Sequence, residues 1–222
     1  MPAHDTIDAQ ILDLMLRAGT QWVLWLLLGL SVLAVMATLE RIWFFWQERR
    51  SPAVAQAIAA LRQDGPVAAL KQLEGARSME ATVARNALKF GHEGVEAVEE
   101  HIAAALESER LRFERGLAFL GTLGNNAPFV GLFGTVLGII RAFNDLSGNL
   151  GQGSQAVMAG IAEALVATGV GLLVALPAVA AFNTFTRRVE MVVASASGVS
   201  HEILAFMKAR AGSFENTTKG GH

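Results

Sequence analysis

Three long runs of apolar residues interrupt an otherwise polar chain. They cover residues 22–39, 116–140 and 164–186, and none of them contains a charged residue. Each has about 18 residues or more, enough for a helix with a rise of about 1.5 Å per residue to cross a bilayer. A soluble helical bundle would show polar positions at a period of 3.6 residues, and these runs show almost none. The pattern therefore predicts an all-α membrane protein with three transmembrane helices.

The polar segments carry helical periodicity as well, so long cytoplasmic helical extensions are expected. Ser51-Pro52 is a good helix start, and breaks are predicted at Gly65-Pro66, near Gly75 and at residues 91–94. From Val95 the pattern contains no breaker before Gly116, which predicts one rigid helix continuing into the second span. The third span is expected to continue to about residue 210, and residues 211–222 are expected to fray.

The distribution of charge predicts the orientation. Residues 1–21 carry three Asp and one Arg, eleven Lys/Arg lie in 41–115, and five more follow Thr186. The positive-inside rule places the polar middle region and the tail in the cytoplasm. The expected order is an outer amphipathic segment (1–20), a first span (21–46), a cytoplasmic helical region (47–115), a second span (116–143), an outer loop (144–156), a third span (157–186) and a cytoplasmic helix and tail (187–222).

Composition excludes several kinds of chemistry. The chain is 52% hydrophobic and 17% charged, and it has no cysteine, so disulfides and thiol chemistry are not available. The five histidines form no ligand cluster, and there is no Walker motif, nucleophile–base pair or nucleic-acid signature. We therefore expect no enzyme, no catalytic residue, no cofactor, no metal site and no nucleic-acid partner.

Small residues recur on one face of the second span and on one face of the third. In lipid, close helix packing depends on such residues because they let backbones approach. Plain packing is the simplest interpretation of the glycines. The residues assigned to helix packing or to a kink are Pro128, Gly131, Gly134, Gly138, Gly171 and Pro177.

Three polar residues in the same spans are candidates for a proton pathway. Thr135 and Thr168 lie on the small-residue faces, where each either bonds to its own helix backbone or supplies a hydroxyl to a polar path. Glu163 is an ionisable residue at the edge of an apolar run. It is either a solvated residue at the outer interface or a group that faces a cavity or pore.

Two segments resemble the MotA/TolQ/ExbB proton-channel family. They are "LGTLGNNAPFVGLFGTVLGIIRAFNDL" at 120–146 and "GIAEALVATGVGLLVALPAVAAFN" at 160–183. The three-span layout fits too, and the chain length and the sequence of the first segment are nearer to the ExbB branch than to the TolQ branch. The MotA branch has four spans and fits less well.

The resemblance implies a homopentamer in the bacterial inner membrane, with a periplasmic N-terminus and a cytoplasmic C-terminus. The pentamer would surround a dimer of a single-span ExbD-like (or TolR-like) partner and act through a TonB-like (or TolA-like) protein. Carried over by motif position, Thr135 and Thr168 would face the partner helices, and Glu163 would be associated with the pore.

Other functions stay open at this point. A TolQ-like role in the cell envelope is the alternative within the family. A non-conducting membrane scaffold is the alternative outside it, and it predicts tolerance of apolar replacements at the three polar positions. A small-solute transporter would show internal repeats with paired broken helices, which this sequence lacks.

Overall fold

The computed structural model describes residues 21–48, 52–148 and 153–219. In these residues the chain forms seven helices and no strand, which confirms the all-α prediction. The helices are α1 (Gln21–Gln47), α2 (Pro52–Gln63), α3 (Pro66–Gln72), α4 (Met79–Lys89), α5 (Val95–Glu114), α6 (Leu117–Gly148) and α7 (Gly153–Lys219). The predicted amphipathic segment at 1–20 lies outside the described residues.

Three helices are long and apolar enough to cross a membrane. They are α1, the part of α6 at Leu117–Leu146, and the stretch of α7 within Val157–Arg210. Many of their large apolar side chains are exposed, including Trp25, Leu173 and Leu176. Such a surface suits lipid rather than water. The prediction of three membrane-spanning helices is confirmed.

The chain divides into two compact units. We call the first the membrane unit, which comprises the residues up to Glu40 and Gly116–Asn183. The second, the polar unit, comprises Arg41–Arg115 and the residues from Thr184 onwards. The boundaries fall inside α1 and α7 and between α5 and α6, so hydropathy changes where the fold divides.

In the membrane unit, α6 and α7 approach closely through glycines. A methyl group added at Gly131 would lie 2.7 Å from the carbonyl oxygen of Ala167, and one added at Gly171 would lie 2.7 Å from that of Ala127. A methyl group at Gly134 would meet Ala167 at 2.8 Å and Val23 of α1 at 3.1 Å. These separations are too short for a side chain, so glycine sets the distance between the helices.

In the polar unit, aromatic rings join the end of α1 to α5 and to the distal part of α7. The ring of Phe45 stacks on that of Phe185, with centroids 5.5 Å apart, and meets Phe113 edge-on at 5.8 Å. Phe44 meets Phe113 edge-on at 5.1 Å. Aromatic pairs in this geometry add to the stabilisation from burial.

The predicted breaks in the polar region are confirmed, but the continuous helix from Val95 into the second span is wrong. Helix α5 ends at Glu114, and α6 begins at Leu117. Arg115 has an extended ψ of 128°, and Gly116 has a φ of +80°. Glycine takes a positive φ without steric cost, so Gly116 turns the chain where helical periodicity alone indicated a straight path.

Two further boundaries differ from the expectation. Helix α7 continues to Lys219, whereas fraying was expected after about residue 210. Helix α6 continues to Gly148, inside the segment assigned to the outer loop. Neither stretch contains proline, which is the residue that disfavours a helix most strongly. Residues 144–148 and 153–156 of the predicted loop are helical. Residues 149–152 lie outside the described residues.

Candidate functional site

Two threonine hydroxyls meet between α6 and α7 in the membrane unit. The Oγ1 atoms of Thr135 and Thr168 are hydrogen-bonded to each other. Thr135 Oγ1 is also 3.0 Å from the carbonyl oxygen of Ala164, and 3.4 Å from that of Gly131 one turn back on its own helix. The structure therefore brings together two of the three polar residues that the sequence singled out.

Either threonine could be the donor between the two hydroxyls, but only one arrangement makes both close contacts of Thr135 hydrogen bonds. A hydroxyl donates one hydrogen and accepts through two lone pairs. In that arrangement Thr135 donates its hydrogen to the carbonyl oxygen of Ala164, the nearer of its two backbone acceptors, and Thr168 donates to Thr135. In this arrangement Thr168 keeps accepting capacity but has no hydrogen to give to any further group.

The approach of the two hydroxyls depends on glycine. A methyl group at Gly131 would lie 3.0 Å from the Cα atom of Thr168 as well as against Ala167. Gly131 is one helical turn before Thr135, and Gly171 is three residues after Thr168. Larger residues there would separate α6 from α7 and pull the hydroxyls apart, so the packing residues hold the polar pair in place.

The site is largely enclosed by apolar residues. Thr135 is 9% exposed, and Ala164 and Ala167 beside it are buried. Thr168 is half-buried, so part of it reaches the surface of the chain. Hydrogen bonds are stronger in such a low-dielectric setting, and an unmade one costs more. Thr135 and Thr168 thus form a hydrogen-bonded polar pair within the otherwise apolar contact between α6 and α7.

Glu163 lies on α7 apart from the threonine pair. Its side chain is exposed, whereas the next residue, Ala164, is fully buried. Residues one position apart on a helix are separated by about 100°, so Glu163 points away from the contact with α6. The structure does not place Glu163 with Thr135 and Thr168 within one chain.

Sequence reasoning missed two polar features. The first is the backbone acceptor at Ala164, which no side-chain pattern can reveal. The second is Asn125-Asn126 in α6, where both side chains are exposed and Asn126 Nδ2 donates to the carbonyl oxygen of Thr122 at 2.7 Å. Two consecutive amides inside a spanning helix were the available signal, because polar groups are costly in lipid.

Within the described ranges, no group of three or more His, Asp or Glu side chains could hold a metal ion. The chemistry that the site offers is hydrogen bonding by neutral hydroxyls inside a membrane. The protein is therefore a polytopic helical membrane protein. Two of its three spanning helices meet through glycines and enclose a hydrogen-bonded threonine pair.

The family model of the MotA/TolQ/ExbB proton channel family matches residues 75–197, which is more than half of the chain. The chain therefore belongs to the MotA/TolQ/ExbB proton channel family. The match covers all of α6, both threonines and Glu163. It places the residues described above in a family of membrane proton channels.

Curated relatives come from two branches of that family. The chain is 45% identical over 100 residues to the Tol-Pal system protein TolQ of Pseudomonas aeruginosa, covering 45% of this chain and 43% of that protein. It is 45% identical over 83 residues to the putative biopolymer transport protein ExbB-like 2 of Helicobacter pylori, covering 37% and 55%. It is 33% identical over 174 residues to the biopolymer transport protein ExbB of Salmonella typhimurium, covering 74% and 71%.

Proposed function

We propose that the chain is an ExbB-like subunit of a proton-driven complex in the bacterial inner membrane. In this proposal five copies surround a dimer of an ExbD-like partner, and proton flow is passed to a TonB-like protein that energises outer-membrane transport. The family membership supports the channel role. The alignment with the Salmonella ExbB over 74% of the chain supports this branch. The periplasmic N-terminus rests on the positive-inside rule.

The single observation that carries the proposal is the threonine pair held between α6 and α7. When Thr135 donates to Ala164 and Thr168 donates to Thr135, Thr168 can only accept a further hydrogen bond. A protonated carboxyl group or a water molecule can donate to it, whereas an ionised carboxylate cannot. We therefore propose that Thr168 receives the partner's carboxyl group in its neutral, protonated form, which is also the form that an apolar interior favours.

Proton passage supplies enough energy for this arrangement to matter. One elementary charge crossing about 100 mV releases about 2.3 kcal/mol. That energy drives motion only if protons cannot leak past the site. Thr135 is nearly buried beside Ala164 and Ala167, and in this proposal the partner's carboxyl group is the proton carrier.

Glu163 has a different proposed role. Its exposed side chain lies five residues before Thr168, about one and a half helical turns nearer the proposed outer end of the span. We propose that it keeps the entrance wet and polar, on a surface shared between subunits or with the partner, and that it does not itself carry the proton.

The first test removes the hydroxyl of Thr168 without changing its volume. Thr168→Val in the full complex, reconstituted with its partner in liposomes, should lose most of the proton flux, and Thr168→Ser should keep it. The matched control is Thr38→Val in α1, because Thr38 donates to the carbonyl oxygen of Ala34 on its own helix at 2.7 Å and should be tolerated. Full flux in Thr168→Val would overturn the assignment.

The second test separates the two interpretations of Glu163. Glu163→Gln keeps a polar side chain, and Glu163→Ala does not. We expect Gln to retain most of the proton flux and Ala to reduce it, because a wet entrance needs polarity rather than a titrating group. If both variants conduct like the original chain, Glu163 is an interface residue without a role in conduction.

A TolQ-like role is the second candidate, and the 45% identity to the Pseudomonas TolQ favours it. Complementation separates the two, because one strain lacking ExbB and another lacking TolQ can each receive this chain. Rescue of TonB-dependent uptake supports the first proposal, and rescue of envelope integrity alone supports the second. A non-conducting scaffold predicts that Thr168→Val supports either rescue fully.

A further inference from the structure

The polar unit contains a buried group of charged residues that the proposed channel does not use. Glu48 directly follows α1, Glu80 lies in the first turn of α4, and Glu109 lies on α5. The side chains of Glu48 and Glu109 are only 10% and 13% exposed, and Glu80 is 6% exposed. Acidic side chains are almost never buried to this extent unless they are paired.

One guanidinium serves more than one of these carboxylates. Nη2 of Arg112 donates to Oε1 of Glu48 and lies 3.3 Å from Oε2 of Glu109. The same nitrogen is 3.4 Å from the carbonyl oxygen of Arg77. The guanidinium also lies against the rings of Phe44 and Phe113, at 5.8 and 5.2 Å from their centroids. These contacts hold Arg112, which is part of α5, against the end of α1.

The hydrogen bonds of the group are incomplete. Among the residues that the structure describes, Oε2 of Glu48 and Oε2 of Glu109 are buried and have no hydrogen-bond donor. A buried carboxylate oxygen without a donor is costly, and a carboxyl group that carries a proton brings its own donor. The buried, unpartnered oxygen of Glu48 is therefore a geometric indication that this carboxyl group takes up a proton.

Among the residues that the structure describes, two guanidiniums (Arg112 and Arg77) and two further carboxylates (Glu109 and Glu80) act on the charge of Glu48. Burial raises the pKa of Glu48, Arg112 lowers it, Glu109 and Glu80 raise it further, and Arg77 lowers it; the net direction is upwards. Arg41, also buried, donates to the carbonyl oxygen of Phe113 at 3.2 Å.

Within the described part of the chain, these side chains form no group of three that could hold a metal ion. We propose that Glu48 is a proton-binding site, and that loss of its proton weakens the connection between the end of α1 and α5. With Glu48 neutral, Arg112 pairs with one ionised carboxylate, that of Glu109, instead of two. This site lies in the polar unit and does not depend on the proposed channel function.

The sign of the pH dependence follows from the direction of the shift. A carboxyl group whose pKa is raised in the folded state binds its proton more tightly there than in the unfolded chain. The stability that it contributes is fully present below its ordinary pKa. That stability is lost as the pH rises through the raised pKa. Alkaline conditions should therefore loosen the contact between Glu48 and α5.

The test compares thermal unfolding of the full-length protein in detergent across pH, from mildly acidic to mildly alkaline. Glu48→Gln mimics the protonated form, so it should flatten the pH dependence and raise the Tm at the alkaline end by about 2–4 °C. The control is Glu114→Gln on α5, where the exposed carboxylate pairs with Arg110 at 2.8 Å. This control should leave the pH dependence unchanged.

A second measurement uses the unmodified chain. Infrared difference spectra should show the carbonyl band of a protonated carboxylic acid that disappears as the pH rises, and this band should be absent in Glu48→Gln. No such band, or a band that persists in Glu48→Gln, overturns the proposal. So does a Glu48→Gln variant whose Tm falls equally at every pH, because that is the loss of an ordinary ion pair.

Discussion

The threonine pair and the Glu48 group solve the problem of burying polar atoms in different ways. Thr135 and Thr168 are neutral, and each hydroxyl finds a partner, one of them a backbone carbonyl group. The Glu48 group is charged, and Arg112 contacts two carboxylates at once. A neutral pair in an apolar contact is satisfied locally, whereas a charged group needs its neighbours to balance.

The difference indicates where each unit is sensitive. In the membrane unit the geometry is set by glycine, so an added methyl group should do more damage than a lost hydrogen bond. In the polar unit the balance is electrostatic, so a changed charge should matter more than changed volume.

The largest effect is expected from Gly131→Ala. The added methyl group would meet the backbone of Ala167 at 2.7 Å, and backbone cannot move aside as a flexible side chain does. We expect a loss of about 3 kcal/mol in stability, together with a loss of proton flux. The matched control is Gly169→Ala on α7, where a methyl group meets nothing within 4 Å. Equal Tm values for the two variants would contradict the glycine contact.

A smaller but still large effect is expected from Arg112→Gln. This change leaves Glu48 and Glu109 without their shared cation. Because Arg112 is 40% exposed, solvent screens part of the loss, and we expect about 1–3 kcal/mol of destabilisation. The loss should grow as the pH rises.

A double-mutant cycle sharpens the Arg112 prediction. Adding Glu48→Gln to Arg112→Gln removes one of the negative charges left without a cation, so Glu48→Gln should stabilise the Arg112→Gln background at alkaline pH by more than it stabilises the original chain. If Glu48→Gln has the same effect in both backgrounds, Glu48 and Arg112 do not interact energetically, and the electrostatic account of the polar unit is wrong.

Thr135→Val should have an intermediate effect on stability. It removes the bonds to Ala164 and Thr168 at nearly constant volume, which costs about 1 kcal/mol. It also frees the hydroxyl hydrogen of Thr168, so that Thr168 can donate to an ionised carboxylate. Proton flux should then change more than stability does, as measured by thermal unfolding and by liposome uptake on the same preparation. An unchanged flux would contradict the donor and acceptor roles proposed for Thr135 and Thr168.

The smallest effect is expected from Arg62→Ala in the polar unit. Arg62 pairs with Glu202, and the two side chains are 64% and 40% exposed. Exposed ion pairs contribute about 0–1 kcal/mol and weaken with salt. Thermal unfolding at low and high salt should show little change. A large loss here would mean that charge matters throughout the polar unit and not only where it is buried.

Much of the architecture could be predicted from the sequence because the signals are local. Apolar length identified the three spans, and glycine and proline identified the breaks between α2, α3, α4 and α5. The straight helix from Val95 was wrong because periodicity does not show that Gly116 takes a positive φ. The predicted end of the last helix, at about residue 210, was wrong because weak propensities do not fix where a helix ends.

The candidate site could be predicted only in part. The faces of α6 and α7 that carry small residues and threonines were readable from spacing, since spacing of three and four residues defines a helix face. Whether each threonine bonds to its own backbone or across the contact was left open. The structure assigns the cross-helix bonds because they join residues about thirty positions apart.

A helical membrane protein with three spans, and the family to which it belongs, could be identified from hydropathy, turn residues and two contiguous motifs. The contact of Thr135 with Thr168 and the burial of Glu48 beside Glu109 and Arg112 could not. Burial and hydrogen bonding between distant segments depend on which helices touch, and a pattern along one segment carries no information about that.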